Sequence, residues 1–216
     1  MTRQLAFDLG HRAALGVEDF LVAPANEAAV GWLDRWPSWP APALLLWGPA
    51  GSGKTHLAHV FEARSGARRV PPDRLTDDAV PALAAAAVVV DPAEDAPPAP
   101  LLHLYNLVAD RRGTLLLTGR RPPADWKVPL PDLRSRLLAS PSVELRPPDD
   151  ALLGAVLLKL FADRQLAVGE DVIRFLLLRI ERSFETARRI VAQLDAAALA
   201  AGRAVTVPLA KEVLRA

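Results

Sequence analysis

The stretch Leu46–His56, LWGPAGSGKTH, constrains this chain more than any other part of its sequence. It fits the pattern Gly-x-x-x-x-Gly-Lys-Thr at Gly48, Gly53, Lys54 and Thr55, with an apolar run before it and a helix-forming segment after it. In such a loop the glycines let successive backbone N–H groups turn inward, and the amino end of the following helix adds partial positive charge. A strand–loop–helix unit of this kind binds a nucleoside diphosphate or triphosphate. The alternative, a glycine-rich turn with an incidental lysine, fits the flanking segments poorly.

The motif also predicts which residues contact the nucleotide. Lys54 is expected to reach the β- and γ-phosphates, and the Thr55 hydroxyl is expected to hold Mg²⁺. A second Mg²⁺ ligand is predicted at Asp91, which ends the apolar run Val88–Asp91; a cap at the end of that strand is the alternative for this carboxylate. The predicted nucleotide contacts in the loop are Gly48, Pro49, Ala50, Gly51, Ser52, Gly53, Lys54, Thr55 and His56.

Hydrolysis would need a further acid that orients the attacking water. The residue after Asp91 is Pro92, which offers neither a carboxylate nor a backbone N–H. Glu94 and Asp95 follow on the proline-rich segment Pro92–Pro100, which we expect to be an irregular surface loop with solvated acids. The sequence therefore predicts a protein that holds a nucleotide with weak or absent intrinsic hydrolysis. The alternative is that Glu94 or Asp95 folds back and supplies the acid.

Five short apolar runs predict the strands of a parallel sheet that is buried on both faces. Helix-forming segments lie between them, so the chain is expected to contain an α/β domain of the P-loop NTPase class. The predicted strands are Ala43–Trp47, Ala67–Val70, Ala86–Asp91, Thr114–Thr118 and Ser142–Leu145.

The pattern changes after Pro147-Pro148, where strands give way to helical periodicity. Apolar stripes in 152–161 and 184–194 predict amphipathic helices, and about four helices fit this part of the chain. Asp149 or Asp150 is expected to cap the first of them. The predicted domains are a flexible peptide at 1–12, a nucleotide-binding α/β domain at 13–147 and a small all-α lid domain at 148–216.

Composition excludes several classes of function. The 216 residues include 26 basic and 25 acidic side chains, a formal net charge of +1, which disfavours a general attraction to DNA or anionic membranes. The absence of cysteine excludes disulfides and thiolate metal sites. No apolar run has membrane-spanning length and no signal-peptide core is evident. We therefore expect a cytoplasmic protein without a membrane partner.

Further segments, taken in their order and spacing, carry a family resemblance. They are Asp19–Val22 with Asn26-Glu27, Leu104–Asn106, Leu115–Gly119 with Arg121–Pro123, Leu130–Leu137, and the tail from Leu194 to Leu214. Together they resemble the DnaA branch of the AAA+ ATPases, and within it the short Hda type that inactivates the initiator DnaA. The resemblance implies an AAA+ fold with a helical lid and bound ADP or ATP. It also implies that Phe20 and Val22 pack near the adenine, that Thr118 is the sensor 1 residue, and that Arg136 is an arginine finger.

Two positions depart from the family pattern. Pro92 stands where the family commonly has a second acidic residue after the Walker B aspartate. Glu185 stands where the sensor 2 arginine of the lid is expected, although Arg188 or Arg189, one turn along the same helix, can take its place. Both departures indicate weak hydrolysis and leave nucleotide binding intact. The initiator's helix-turn-helix domain has no counterpart here, so sequence-specific DNA binding is not expected.

The arginine finger needs no catalytic acid of its own. An arginine at a subunit edge can enter a neighbour's nucleotide site and stabilise charge on the transferring phosphoryl group, which is worth about 10³–10⁵ in rate in GTPase systems. The resemblance therefore implies that Arg136 acts in trans on ATP bound to DnaA. The pattern alone leaves the alternative that Arg134 and Arg136 are surface ion-pair residues.

The amino-terminal peptide QLAFDL resembles the hexapeptide with which replication proteins dock on the β sliding clamp of DNA polymerase III. An extended peptide can place Leu5, Phe7 and Leu9 in apolar pockets while the amide of Gln4 hydrogen-bonds at the rim. An edge strand or a disordered tail is the alternative. The leading hypothesis is thus a nucleotide-bound adaptor on the clamp that promotes ATP hydrolysis by DnaA. The second is a stand-alone AAA+ ATPase of the helicase-loader type; homodimerisation is left open.

Overall fold

The computed structural model describes residues 22–215. The described chain divides into two compact units, residues 22–146 and residues 147–215. The predicted peptide at 1–12 lies outside the described residues, and so does Phe20.

The first unit is built on a sheet of five parallel strands in the order β2-β3-β4-β1-β5. Its strands are β1 (Ala43–Trp47), β2 (Arg68–Val70), β3 (Ala87–Val90), β4 (Thr114–Gly119) and β5 (Ser142–Glu144). The predicted five-stranded parallel sheet is therefore confirmed, with strand ends that differ from the expected ones by one residue at most. Because β1 lies between β4 and β5, the loop that follows β1 begins near the middle of the sheet.

Helices cover both faces of this sheet, as the absence of polar alternation in the strands predicts. They are α1 (Glu27–Asp34), α2 (Lys54–Ser65), α3 (Val80–Leu83), α4 (Pro98–Asp110) and α5 (Pro131–Ala139). Successive strand residues point to opposite faces. Leu45 and Leu115 accordingly share a core with Leu104 of α4, whereas Leu44 and Leu116 lie in a second core.

The proline-rich segment after β3 differs from the expected irregular surface loop. Ala93–Asp95 form a 3₁₀ turn that packs against β4, and α4 already begins at Pro98. The small apolar residues Ala93 and Ala96 are buried and hold the segment against the sheet. A proline at the first helical position costs little, because the N–H it lacks would have no partner in the helix.

The second unit consists of four helices around its own apolar core, α6 (Asp150–Ala162), α7 (Glu170–Leu177), α8 (Phe184–Ala201) and α9 (Val207–Val213). Asp149, rather than Asp150, caps α6 by accepting a hydrogen bond from the Leu152 N–H at 2.8 Å. The Ser183 hydroxyl caps α8 in the same way. Among residues 22–215 no helix combines the length and the apolar character needed to cross a bilayer.

Candidate functional site

The candidate site lies at the carboxyl ends of the central strands. The phosphate-binding loop connects β1 to α2, Asp91 directly follows β3, and Thr118 lies near the end of β4. Since parallel strands end at the same edge of a sheet, and β3, β4 and β1 are neighbours, these residues come together. The loop and the two predicted polar residues thus belong to one site.

The start of the loop is fixed by close packing against the strands on either side of β1. The Gly48 N–H donates to the Gly119 carbonyl of β4 at 3.1 Å. On the other side, a Cβ atom at Gly48 would lie 2.2 Å from the Leu145 carbonyl oxygen. Gly51 and Gly53 have φ angles of 72° and 101°, which favour glycine. The glycines of the motif are therefore required by this backbone.

Lys54, the first residue of α2, folds back into the loop. Its Nζ donates to the carbonyl oxygens of Gly48 and Pro49, each at 2.7 Å, and lies 3.4 Å from the Ser52 hydroxyl. Burial lowers the pKa of Lys54, while the negative charges of Asp91 and Glu94 oppose this shift. A buried cation bound mainly to loop carbonyls can exchange these acceptors for phosphate oxygens, which are stronger partners.

The other predicted nucleotide contacts vary in accessibility. Thr55 is exposed at the start of α2, so its hydroxyl is accessible, and Pro49 and Ala50 are exposed at the loop tip. Ser52 is buried beside Lys54. His56 and Val22 are half-buried.

Asp91 is engaged through both of its carboxylate oxygens. Oδ1 accepts a hydrogen bond from the Thr118 hydroxyl, and Oδ2 accepts one from Nη1 of Arg69 at 3.1 Å. The Asp91 side chain is only 9% exposed. Arg69 is held from its other side by an ion pair between its Nε and Glu62. The carboxylates of Asp91 and Glu62 therefore share the single positive charge of Arg69.

The two predicted Mg²⁺ ligands, Thr55 and Asp91, stay predictions. A carboxylate has about four lone-pair sites, so the two hydrogen bonds that Asp91 accepts leave sites for a metal ion or its bound water. Within residues 22–215 no group of three His, Asp or Glu side chains could hold a metal ion. Mg²⁺ at a nucleotide does not need such a group, because phosphates and water supply most of its ligands.

Glu94 is not the solvated loop acid that the sequence suggested. Its side chain is only 7% exposed, and its Oε1 lies 3.9 Å from Nε of Arg120. Its Oε2 is buried without a hydrogen-bond partner in the described structure. Its negative charge opposes the effect of burial, which lowers the pKa of Lys54. Asp95, in contrast, is exposed as expected.

Sequence reasoning missed Arg69 and its partner Glu62. Arg69 lies on β2 opposite Val89 of β3, two residues before Asp91. The sequence did contain an indication of this ion pair. Arginine is unusual in a strand that pairs with a fully buried strand, and an arginine there needs a nearby carboxylate. Only the strand order, however, identifies that carboxylate as Asp91.

Arg136 lies on α5 with its side chain 38% exposed. Its Nε donates to Asp132 at 3.0 Å, one turn earlier on the helix, and its guanidinium lies 5.6 Å from the centre of the Tyr105 ring. In this structure Arg136 thus forms a surface ion pair, as the alternative interpretation of the sequence predicts. The nearby Arg134 is exposed. Two contacts of this kind orient a guanidinium at the surface without burying it.

In the helical unit, Glu185, Arg188 and Arg189 are all exposed on the first part of α8. Arg182, just before this helix, donates from Nε to Asp150 at 2.9 Å. This hydrogen bond raises the pKa of Arg182. The predicted clamp-binding residues Gln4, Leu5, Phe7 and Leu9 lie outside the described residues.

Comparison with known proteins gives one family match and many fold matches. Residues 153–214 match the family model described as "Hda, lid domain". The structure is similar to domain III of the replication initiation protein DnaA from Thermotoga maritima, with a TM-score of 0.76 and 18% identity over 91% of this chain and 93% of that one.

Two longer proteins share the fold. AMPPCP-bound DnaA from Aquifex aeolicus gives a TM-score of 0.67 at 16% identity, over 84% of this chain and 65% of that one. The RuvB Holliday junction branch migration motor from Thermotoga maritima gives 0.67 at 16%, over 81% and 61%. This chain therefore spans less than two thirds of either protein. The predicted class, an α/β AAA+ fold with a small helical lid domain, is confirmed.

Proposed function

We propose that this Hda-like, DnaA-related AAA+ protein is an adenine-nucleotide-bound adaptor that docks on the DNA polymerase sliding clamp. In this role it stimulates hydrolysis of ATP bound to DnaA and so limits re-initiation of chromosome replication. The observation that carries the proposal is the presence, in one chain, of an Hda lid domain and an exposed, oriented Arg136. Nucleotide binding, stimulation of DnaA and docking on the clamp are supported by different features of the chain.

Nucleotide holding is supported by the geometry of the loop. Lys54 provides a buried cation, and no side chain caps the amino end of α2, whose backbone N–H groups and partial positive charge favour an anion. DnaA of the same fold is described with AMPPCP bound, which favours ADP or ATP as the ligand. Because Pro92 stands where a second acid would orient the attacking water, we infer that the pocket retains its nucleotide rather than turning it over rapidly.

Stimulation of DnaA is assigned to Arg136. Within the described structure its side chain contacts the ring of the buried Tyr105 and donates to Asp132 in an exposed hydrogen bond that a partner's phosphate can replace. A planar guanidinium is suited to the developing charge on a phosphoryl group. Docking on the clamp is assigned to Gln4, Leu5, Phe7 and Leu9, on the resemblance of their sequence to a clamp-binding hexapeptide.

We expect Arg136→Ala to lower the stimulation of DnaA-bound ATP hydrolysis by at least about tenfold, since a finger arginine acts on the transition state. The assay combines ATP-loaded DnaA, DNA-loaded clamp and this protein, and measures the phosphate released. Arg134→Ala is the matched control, because it removes an exposed arginine from the same helix. Removal of residues 1–10 should lower stimulation in the same mixture. Undiminished stimulation by Arg136→Ala would end the assignment.

A second candidate function, a stand-alone ATPase, is favoured by one observation. Glu94 is a buried carboxylate whose Oε2 has no hydrogen-bond partner in the described structure, and its charge raises the pKa of Lys54 in the phosphate-binding loop. A carboxylate in this position can orient a water molecule toward the terminal phosphate. In this second candidate Glu94 takes the role of the acid that Pro92 replaces.

Steady-state ATP turnover by the isolated protein separates the two candidates. We expect turnover to be slow and to fall at least about tenfold in Glu94→Gln, since the amide cannot accept a proton from water. Asp95→Asn is the control, because that side chain is exposed on the same turn. Rapid turnover that depends on Glu94 would favour the stand-alone ATPase. Turnover that is unchanged in Glu94→Gln would show that Glu94 does not take part in hydrolysis.

A further inference from the structure

The backbone of Arg136 is held by the residue that ends α5. The Arg136 carbonyl oxygen accepts hydrogen bonds from the Ser140 N–H at 3.1 Å and from the Ser140 hydroxyl at 2.8 Å. Ser140 is the C-cap of this helix and is buried. The last turn of α5 is therefore closed on the carbonyl of the arginine itself.

Tyr105 of α4 is joined to the same turn. Its hydroxyl oxygen lies 3.2 Å from Oγ of Ser140. Because Ser140 has a single hydroxyl hydrogen and donates it to the Arg136 carbonyl, Tyr105 is the donor in this contact. Tyr105 is 5% exposed and shares its core with Leu133 and Leu137 of α5. The position of Tyr105 is therefore fixed relative to the helix that carries Arg136.

The ring of Tyr105 also contacts the side chain of Arg136. The centre of the ring lies 5.6 Å from Cζ of the guanidinium. An aromatic ring attracts a cation within about 6 Å of its centre, and this attraction does not occupy the N–H donors of the cation. The hydrogen bond to Asp132, in contrast, occupies Nε. When a phosphate takes the place of Asp132, the contact with the buried ring can remain.

We propose that Tyr105 is a positioning residue for Arg136. Its ring restricts the guanidinium, and its hydroxyl fixes the ring to the turn of α5 from which Arg136 projects. The inference rests on the stimulation of DnaA proposed above and adds the residue that orients the arginine for it. Orientation matters because a displacement of about 1 Å can cost about 10²-fold in rate. Tyr105 acts through Arg136 and needs no contact with the nucleotide of the partner.

The test is the stimulation assay with ATP-loaded DnaA and DNA-loaded clamp, run over a range of concentrations of the full chain. The maximal rate and the half-saturating concentration are then measured separately. For Tyr105→Leu we expect the maximal rate to fall by about three- to tenfold, because the guanidinium loses both the ring and its orientation. The half-saturating concentration should stay within about twofold of the wild-type value, since the lost interaction acts in the transition state. A loss of folded protein would instead raise the half-saturating concentration and leave the maximal rate unchanged.

Two control variants separate the ring from the core. Tyr105→Phe retains the ring, so its maximal rate should lie within about twofold of the wild-type rate. Val108→Ala removes apolar atoms from the same core on the next turn of α4 and should leave the maximal rate unchanged. If Tyr105→Leu does not fold, Tyr105→Met takes its place with the same expected loss, because the flexible methionine side chain fills irregular space in a core.

The outcomes separate this inference from the proposed function. In an Arg136→Ala background, Tyr105→Leu should have no further effect on the maximal rate, because the two residues act as a unit. A further loss of the same size in that background overturns the inference. An unchanged maximal rate in Tyr105→Leu, or an equal loss in Tyr105→Phe or Val108→Ala, also overturns it and leaves the role of Arg136 in place. Undiminished stimulation by Arg136→Ala alone overturns that role, and the inference with it.

Discussion

Replacing Lys54 with methionine is expected to weaken nucleotide binding by about 100-fold. The ammonium group of Lys54 makes hydrogen bonds that are charge-assisted, and each such bond to a phosphate oxygen contributes about 1.5–3 kcal/mol. Two of them account for about 3 kcal/mol, which corresponds to roughly 100-fold in affinity. Methionine retains the length and apolar stem of the side chain, so the loss reports on the charge. Titration with labelled ADP measures it directly.

The stability of the same variant provides an internal control. Burial lowers the pKa of Lys54, which means that the fold disfavours its charged form. We therefore expect the free energy of unfolding of the nucleotide-free variant to change by less than about 1 kcal/mol. Lys127→Met removes an exposed lysine from the same unit and should leave both affinity and stability unchanged. Nucleotide binding that survives in Lys54→Met would show that this loop does not hold phosphates through its lysine.

The fold was predictable because its signals are local and agree with one another. Each strand is a short apolar run, and the run before Gly48 is followed directly by the loop and by α2. Five such runs separated by helical segments leave few arrangements other than a parallel sheet with helices on both faces. The helical unit was predictable for the same reason, since its apolar stripes recur at helical spacing.

The burial of Glu94 was not predictable from the sequence. A glutamate among four prolines has the composition of a surface loop, and that interpretation was wrong. The turn is folded back by the burial of Ala93 and Ala96 against β4. Alanine is only weakly hydrophobic, so the sequence does not show which alanines of this segment are buried.

The ion pair between Arg69 and Asp91 depends on strand order. The two residues are far apart in the sequence and become neighbours because β2 pairs with β3 in one register. A shift of one residue would turn Arg69 to the other face of the sheet. Local patterns do not determine that register, so the ion pair between Arg69 and Asp91 could only be found in the structure.

Gly119→Ala is expected to destabilise the nucleotide-binding unit by about 2–3 kcal/mol, the upper part of the range for overpacked cores. A Cβ atom at this position would lie 2.4 Å from Cζ2 of Trp126. The indole cannot move away easily, because it is buried and its Nε1 donates to the Arg121 carbonyl at 2.8 Å. The overlap must then be relieved by a shift of the backbone at the end of β4. Thermal unfolding should show a Tm about 4–12 °C lower.

Two comparisons identify the cause. Gly31→Ala adds the same methyl group inside α1, where no atom lies within 4 Å, and should raise stability by about 0.5–1 kcal/mol. In a Trp126→Leu background, Gly119→Ala should cost less than about 1 kcal/mol, because the overlapping ring is gone. An equal cost in both backgrounds would assign the loss to the backbone of β4. The Gly119 carbonyl accepts a hydrogen bond from the Gly48 N–H. Nucleotide affinity should therefore fall in Gly119→Ala and recover when Gly119→Ala is combined with Trp126→Leu.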